Sequence, residues 1–377
     1  MVRNKLGRVW NDYLTDVLVK KVGFKQSKVD KCVFYRGSVI YVLYTDDSIL
    51  AGPSEKDIDD AINDIRKAKL DITVEGDIQD FLGINISRRS DGSIHLSQPH
   101  LIDQILSDLK MGDNTREKET PASSSNLLSR HSKSEDFDGS FNYRSVIGKL
   151  NYLEKGSRAD ISYITHQCAR FSSQPKKEHG AAVRWLVRYL KGTRTKGLII
   201  KPDHTRGLEV HVDADFAGNW DRNETDDPDT ARSRHGYVIS YAGCPIVWKS
   251  QLQGEICLSS TESEYTGLSY ALREAIPIMN LHKELIENGF HVKTPTAKVH
   301  CKLFEDNTGA IEIARTEKYR PRTKHLNCRL HHFRYYVDVL KEITIHKIDT
   351  KEQPADMLTK PLNEESLTKF RKLVLGW

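Results

Sequence analysis

Apolar residues change their period several times along this chain, and each change marks an element. From Val9 to Val22 they recur at helical spacing, and Ser38-Val-Ile-Tyr-Val-Leu-Tyr44 then has the β-branched and aromatic content of a strand. A second strand, Ser48-Ile-Leu-Ala-Gly52, follows Asp46-Asp47, so the pair reads as a tight hairpin with two adjacent acids in its turn. Ser54 can cap the next helix, in which Ile58, Ala61, Ile62 and Ile65 share one face. Phe81-Leu-Gly-Ile-Asn-Ile86 and Ser93-Ile-His-Leu96 flank Asp91-Gly92, a pair that tolerates the positive φ of a hairpin turn. A further helix starts at Ser97-Gln-Pro99, with Leu101, Ile102, Ile105, Leu106 and Leu109 on its apolar side.

Between Gly112 and Gly139 little is left to bury, which places a linker there. Helical patterns resume over residues 143–153, 161–171 and 175–191, where Ala181, Ala182, Trp185, Leu186 and Tyr189 form a stripe. Trp185 and Tyr189, four residues apart, read as core rather than as a base-stacking platform. From Leu208 the order becomes strand 208–213, a charged loop, strands near 236–241 and 246–250, and a long helix from Ser260. A strand near 298–305, helices near 307–315 and 325–341, a strand over 343–349 and a last helix from Pro354 complete an α/β layer with its strands first.

Composition adds bounds. The 377 residues suffice for two or three domains, and 38% hydrophobic with 29% charged residues is a globular balance. A net charge of +5 is too mild to establish a polyanionic partner, so local patches carry that argument. The six cysteines show no C-x-x-C pair and no dense spacing, which suits free thiols and an intracellular setting, in a cytoplasmic particle or the nucleus. No stretch approaches 18 apolar residues and no signal peptide follows Met1, so a soluble protein without a membrane partner is expected.

Four acids fall at element ends: Asp213 closing a strand, Glu264 early in the long helix, Asp306 just after its strand, and Asp356 opening the last helix. Carboxylates gathered at one sheet edge are what two hard cations need, since Mg²⁺ takes oxygen ligands and keeps waters. Two such ions about 3.5–4 Å apart activate a water and stabilise the leaving oxygen of a phosphodiester. The reaction expected is metal-assisted hydrolysis.

The stretches that hold these acids are His211-Val-Asp-Ala-Asp-Phe-Ala-Gly218, Leu258-Ser-Ser-Thr-Glu-Ser-Glu-Tyr265, Glu305-Asp-Asn-Thr-Gly-Ala-Ile311 and Gln353-Pro-Ala-Asp-Met-Leu-Thr-Lys360. They resemble, in order, the four motifs of the RNase H domain of copia-type LTR retrotransposon polyproteins, and Arg322-Thr-Lys-His325 matches as well. The resemblance implies metal-binding and catalytic roles for Asp213, Glu264, Asp306 and Asp356, with Asp215 and Glu262 ranked below them. It implies two Mg²⁺ ions, a role Mn²⁺ can also fill, and an RNA–DNA hybrid as substrate. The histidine loop of cellular RNase H enzymes is not evident, although His346 lies nearby.

Tyr44-Thr-Asp-Asp47 resembles the Tyr-x-Asp-Asp palm motif of reverse transcriptases, and Phe81-Leu-Gly-Ile84 resembles the primer grip that follows it. Gly7-Arg-Val-Trp-Asn11, Tyr143-Arg-Ser-Val-Ile-Gly-Lys-Leu-Asn-Tyr152 and Arg158-Ala-Asp-Ile-Ser-Tyr163 are similar to the same polyprotein. Asp46 and Asp47 are thus the expected polymerase metal ligands, acting on an RNA template and a DNA primer. The family's fingers and a further catalytic Asp belong before Gly7, where six residues stand, so polymerisation by this chain alone is expected to fail.

The fold implied is a multidomain α/β and α+β chain. A partial palm and thumb would occupy residues 1–111, a linker 112–142 and a helical connection 143–206. An RNase H-like mixed five-stranded sheet flanked by helices would occupy 207–362, and a tail 363–377. Arg315, Lys318, Arg320, Arg322, Lys324 and Arg329 form, with Arg334, a basic run suited to phosphate backbones. The opposite run, Asp213 to Asp229, holds seven acids against Arg222 and reads as a loop kept away from phosphates. His325-x-x-Cys328-x-x-His331-His332 has ligand types zinc accepts, but one helix does not converge four groups, so an amphipathic helix is the reading kept. The alternative function is a retroelement remnant that binds nucleic acid without catalysis.

Overall fold

The computed structural model describes residues 2–123, 128–130, 133–224, 226–293, 295–296, 298–315 and 332–377. They form two compact units, one of residues 1–77 with 276–293 and one of residues 78–275 with 294–377.

In the first unit, helix α1 (Val2–Val17) runs into a π-helical turn over Leu18–Val22 that Gly23 ends at φ 85°. Strands β1 (Lys25–Gln26), β2 (Val33–Arg36), β3 (Val39–Tyr44) and β4 (Asp47–Ala51) follow as an antiparallel sheet in sequence order. Alternation sets the faces: Val39, Tyr41 and Leu43 are buried, while Ile40 and Val42 between them are only partly covered. Helix α2 (Glu55–Lys67) starts at Ser54, whose hydroxyl accepts from the Asp57 amide, and buries Ala61, Ile62 and Ile65. Ala61 and Ile65 join Leu14, Leu18, Phe24 and Phe34 in one core.

The remaining part of this unit comes from far along the chain, the end of helix α8 (Ser260–Glu287) and the residues after it. There the buried Glu284 accepts hydrogen bonds from the Ser27 hydroxyl, the Lys28 amide at 2.7 Å and the Tyr35 hydroxyl at 3.1 Å. Phe290 adds a tilted ring contact to Tyr35 at 5.7 Å.

The second unit contains two sheets. Strands β5 (Asp80–Phe81), β6 (Ile84–Arg88), β7 (Ile94–Ser97) and β8 (Leu198–Ile200) are antiparallel in that order. The β5–β6 turn is Leu82-Gly83, with φ 52° and 71°, the double positive φ of a type I′ hairpin. Strand β8 lies inside 143–206, where the sequence predicts only helices. Three residues are too few to display alternation, so β8 exists through its pairing with β7.

Helices α3 (Pro99–Asp108), α4 (Tyr143–Gly156), α5 (Ser162–Ala169) and α6 (Lys177–Gly192) share one core through Ile102, Ile105, Val146, Leu150, Cys168, Val183 and Leu186. Tyr189 is fully buried there, whereas Trp185 is half-buried, donates to the Thr120 carbonyl at 2.8 Å and lies under the Lys118 ammonium. Arg158 and Asp160 are entirely buried as a bidentate pair at 2.9 and 2.8 Å, and the Tyr189 hydroxyl donates to Asp160 at 2.6 Å. The desolvation cost of such a pair is offset only when every donor is used. Thr193 takes two more of the donors, accepting from Arg158 through its hydroxyl and its carbonyl.

The second sheet has strands β9 (Leu208–Asp215), β10 (Arg234–Tyr241), β11 (Cys244–Leu252), β12 (Cys301–Glu305) and β13 (Ile343–Lys347) in the order β11-β10-β9-β12-β13. Strand β10 is antiparallel to both β9 and β11, and β12 and β13 run parallel to β9. This is the mixed five-stranded sheet that the resemblance implies. Helix α7 (Pro228–Ala231) is a single turn in the acidic loop, and α9 (Thr308–Arg315) follows β12.

The sequence predicts one helix from Pro354, but the structure holds a 3₁₀ turn over Pro354–Leu358 and then helix α10 (Glu364–Leu375). Pro361 separates them, and Asn363 caps α10 by accepting from the Ser366 amide at 2.9 Å. The expected tail 363–377 is thus largely helix, burying Leu367, Phe370, Val374 and Leu375. Past 331, the predicted 325–341 helix includes a π-helical turn at Tyr335–Val339.

Candidate active site

Register brings the first two acids together. Phe304 is paired with His211 in the parallel β9–β12 ladder, so Asp306 and Asp213, each two residues on, reach the same level at neighbouring strand ends. Glu264 comes from α8, whose start is fixed by a reciprocal cap: the Glu262 amide donates to Ser259 at 3.1 Å, and the Glu262 carboxylate accepts from the Leu258 amide at 2.8 Å. One turn after Glu264, Gly267 lets the helix lie against the sheet. A β-carbon there would stand 3.3 Å from that of His235 and 3.5 Å from a Val212 methyl.

One ligand oxygen each from Asp213, Glu264 and Asp306 fall within 4.8 Å of one another, and among the described residues this is the only such cluster of acidic, histidine or cysteine side chains. Asp213 and Glu264 are buried, and Asp306 is partly exposed. Glu264 Oε2 is buried without a hydrogen-bond partner. The Asp306 carboxylate accepts from the Thr350 hydroxyl at 2.7 Å. Asp356 arrives on the 3₁₀ turn and pairs with Lys360 Nζ at 3.0 Å, while the Thr359 hydroxyl of the same segment donates to Asp213.

The acids repel one another in a space with little water. Burial, then the charge of Asp356, pushes the Asp213 carboxyl up to about 7, against the pull of Lys360 and Thr359. Burial, then Glu305 and Asp213, holds Glu264 well above the usual carboxylate range. Burial also raises Asp356, opposed by its pair with Lys360. Lys360 itself pays a burial penalty but is raised because Asp213 and Asp356 outweigh it. Such a cluster favours added positive charge, and its donors are all oxygen, the set that suits hard divalent cations.

Among the neighbours, Asp215 is raised by burial and by Asp213, and it occupies the space left by Gly218, where a β-carbon would fall 1.6 Å from its Oδ2. Glu262 serves the helix cap. Glu305 is fully buried beside the cluster, accepts from the Asn307 amide at 2.9 Å and is pushed up to about 8 by burial. His346 shares a 2.7 Å hydrogen bond with Thr344 and lies near Phe304. Thr350, Thr359, Lys360 and Glu305 were not singled out from sequence, although three of the four sit inside or beside the quoted motifs.

In the other unit, Tyr44 pairs with Asp47 across the β3–β4 turn, Thr45 takes φ 55°, and the Trp10 indole donates to the Thr45 carbonyl at 3.4 Å. Asp46 and Asp47 are exposed, and among the described residues no third ligand-type side chain joins them. Arg315 donates to the Ile345 carbonyl, tying α9 to β13. Lys318, Arg320, Arg322, Lys324 and Arg329, with His325, Cys328 and His331, lie outside the described residues.

Residues 3–124 match the family described as reverse transcriptase (RNA-dependent DNA polymerase). The chain is 32% identical, over 94% of its length, to the retrovirus-related Pol polyprotein from transposon TNT 1-94 of Nicotiana tabacum. It is 31% identical over 96% of its length to that from transposon RE1 of Arabidopsis thaliana. It spans about a quarter of those relatives, 26% and 24% of their lengths. A putative transposon Ty5-1 protein of Saccharomyces cerevisiae is 30% identical over 71% of this chain and 84% of its own. The chain therefore belongs to the copia-type retrotransposon polyprotein family, with its reverse-transcriptase match at residues 3–124. Among solved structures, the N-terminal RNase H domain of rv2228c from Mycobacterium tuberculosis aligns with 44% of this chain and 97% of its own, at 13% identity and a TM-score of 0.28. LC11-RNase H1 in complex with an RNA/DNA hybrid aligns with 43% and 97%, at 16% identity and a TM-score of 0.26.

Proposed function

We propose that the domain built on β9 to β13 is a two-metal ribonuclease H that cleaves the RNA strand of RNA–DNA hybrids, attached to a reverse-transcriptase part that works on an RNA template and a DNA primer. The observation that carries this reading is the convergence of Asp213, Glu264 and Asp306 within 4.8 Å, with one buried Glu264 oxygen left without a partner. A buried carboxylate oxygen without a hydrogen bond is costly, and a divalent cation is the ligand that removes that cost. Asp213, Glu264, Asp306 and Asp356 would hold Mg²⁺ or Mn²⁺. The ions supply an activated water and neutralise charge developing on the phosphodiester.

The protein's own part is orientation. Thr359 fixes Asp213, and Thr350 fixes the Asp306 carboxylate through its Oδ2. Lys360 places a cation at the rim of the site. An intracellular setting is part of the same proposal, and Cys32, Cys168, Cys244, Cys257 and Cys301 are free thiols.

The test is cleavage of a labelled RNA strand in an RNA–DNA hybrid with Mg²⁺, comparing the chain with Asp213→Asn. Cleavage lost in the variant supports the reading. A folded chain that retains the hybrid without cutting it replaces this reading with a binding remnant.

A further inference from the structure

Residues 353–356 bring one buried amide to the point where the cluster is assembled. The β9–β12 ladder ends at the Phe304–His211 pair, and just beyond it the Gln353 side chain enters from the following loop. Its Nε2 donates to the Val212 carbonyl at 2.8 Å and reaches the Phe304 carbonyl at 3.4 Å. Val212 immediately precedes Asp213, and Phe304 lies two residues before Asp306. The Gln353 oxygen faces the Ala355 amide at 3.5 Å, at the start of the turn that carries Asp356. The whole residue is inaccessible to solvent.

Residue type sharpens the point. Capping alone favours Ser, Thr, Asp or Asn, whose short side chains reach their own turn. Pro354 has no amide hydrogen, so Ala355 is the first donor a cap can serve there. A glutamine serves that cap less well but extends far enough to hold two strands as well.

We propose that Gln353 is the positioning residue of the carboxylate cluster, setting the separation of the strand ends that carry Asp213 and Asp306 and the origin of the turn that carries Asp356. This rests on the reading of that cluster as a metal site. Groups that orient metal ligands without touching the metal govern affinity by about 10- to 100-fold.

The experiment compares the full chain with Gln353→Met, which keeps length and volume but removes both donors and the acceptor. Mn²⁺ binding is measured by calorimetry, alongside the Mg²⁺ dependence of hybrid cleavage, KM for the hybrid, and thermal unfolding. The result expected is Mn²⁺ affinity lower by at least about 10-fold, a matching rise in the Mg²⁺ needed for cleavage, and an unchanged KM at saturating Mg²⁺. Gln353→Asn retains a buried amide on a shorter stem and should shift affinity in the same direction; it decides the matter if the methionine variant does not fold. Unchanged Mn²⁺ affinity in a folded variant overturns the proposal, whatever the melting temperature does, and so does a wild-type chain that binds no Mn²⁺. A wild-type chain that binds Mn²⁺ but leaves the hybrid intact sinks the nuclease reading alone, and the affinity comparison still decides the role of Gln353.

Discussion

Gly236 lies directly across the β9–β10 ladder from Asp213, and a β-carbon built on it would stand 2.5 Å from that of Leu358. The 3₁₀ turn carrying Asp356 therefore crosses the sheet where there is no side chain. Gly236→Ala is expected to cost about 1–3 kcal/mol by overpacking and to reduce hybrid cleavage by at least about 10-fold, because the displaced turn carries a ligand. Thermal unfolding and single-turnover cleavage of the same preparation check both. Full cleavage in a destabilised variant would separate the contact from the chemistry.

Lys360 is the cation paired with Asp356 at 3.0 Å and pulling on Asp213. Lys360→Met should lower the melting temperature in EDTA, since the acids then repel without a counter-charge. It should also tighten Mn²⁺ binding, so that added metal restores more stability than in the wild type. Melting curves with and without Mn²⁺ measure both effects. A variant with unchanged metal dependence would mean that Lys360 acts only as a surface charge.

The cluster also sets a dependence on pH. Asp213 keeps its proton up to about 7 in the folded chain, above its unfolded value, so its contribution to stability is present at low pH and is lost as pH rises through about 7. Metal must displace that proton. Mn²⁺ affinity should therefore rise with pH between 6 and 7.5 by up to about 10-fold per unit, and binding should release protons that calorimetry in two buffers will count. Asp213→Asn should flatten the profile.

His235 has the opposite sign. Its ring is stacked on Tyr270 at 4.5 Å, neither nitrogen has a hydrogen-bond partner, and burial pushes its pKa down to about 3. The folded state holds the neutral form while the unfolded chain takes a proton near 6.5, so stability is lost as pH falls below that value. His235→Phe should remove this loss, a gain of about 2 kcal/mol at pH 5. Denaturant titrations at pH 5 and 7.5 test it; equal gains at both would point to packing instead.

How much of this was legible in the sequence depended on whether a residue acts within its own element. The strand through Asp213, which runs two residues past its expected end to Asp215, the Ser54 cap and the helix from Ser260 follow from period and local chemistry, and the four acids stand out by motif. Thr359, by contrast, acts on Asp213 across 146 residues, and Glu284 meets Ser27 across 257. Such partners leave no periodic trace. Gly236 shows why: nothing in Arg234-His-Gly-Tyr237 says that another turn must pass over it. The separation of Pro354–Leu358 from α10 could have been anticipated, since Pro361 and Asn363 are a stop and a cap in plain sight.

The contribution of Ile276–Lys293 to the first unit imposes an order on synthesis. On the ribosome, β1 and β2 emerge about 250 residues before Glu284, so Ser27, Lys28 and Tyr35 wait without their acceptor while most of the chain is made, roughly 10–50 s at ordinary elongation rates. The polymerase-type end is translated first but completed late. A fragment cut in the 112–142 segment would leave Ser27, Lys28 and Tyr35 without the Glu284 acceptor for good, and any division of the chain there into two polypeptides would have to supply this helix end again.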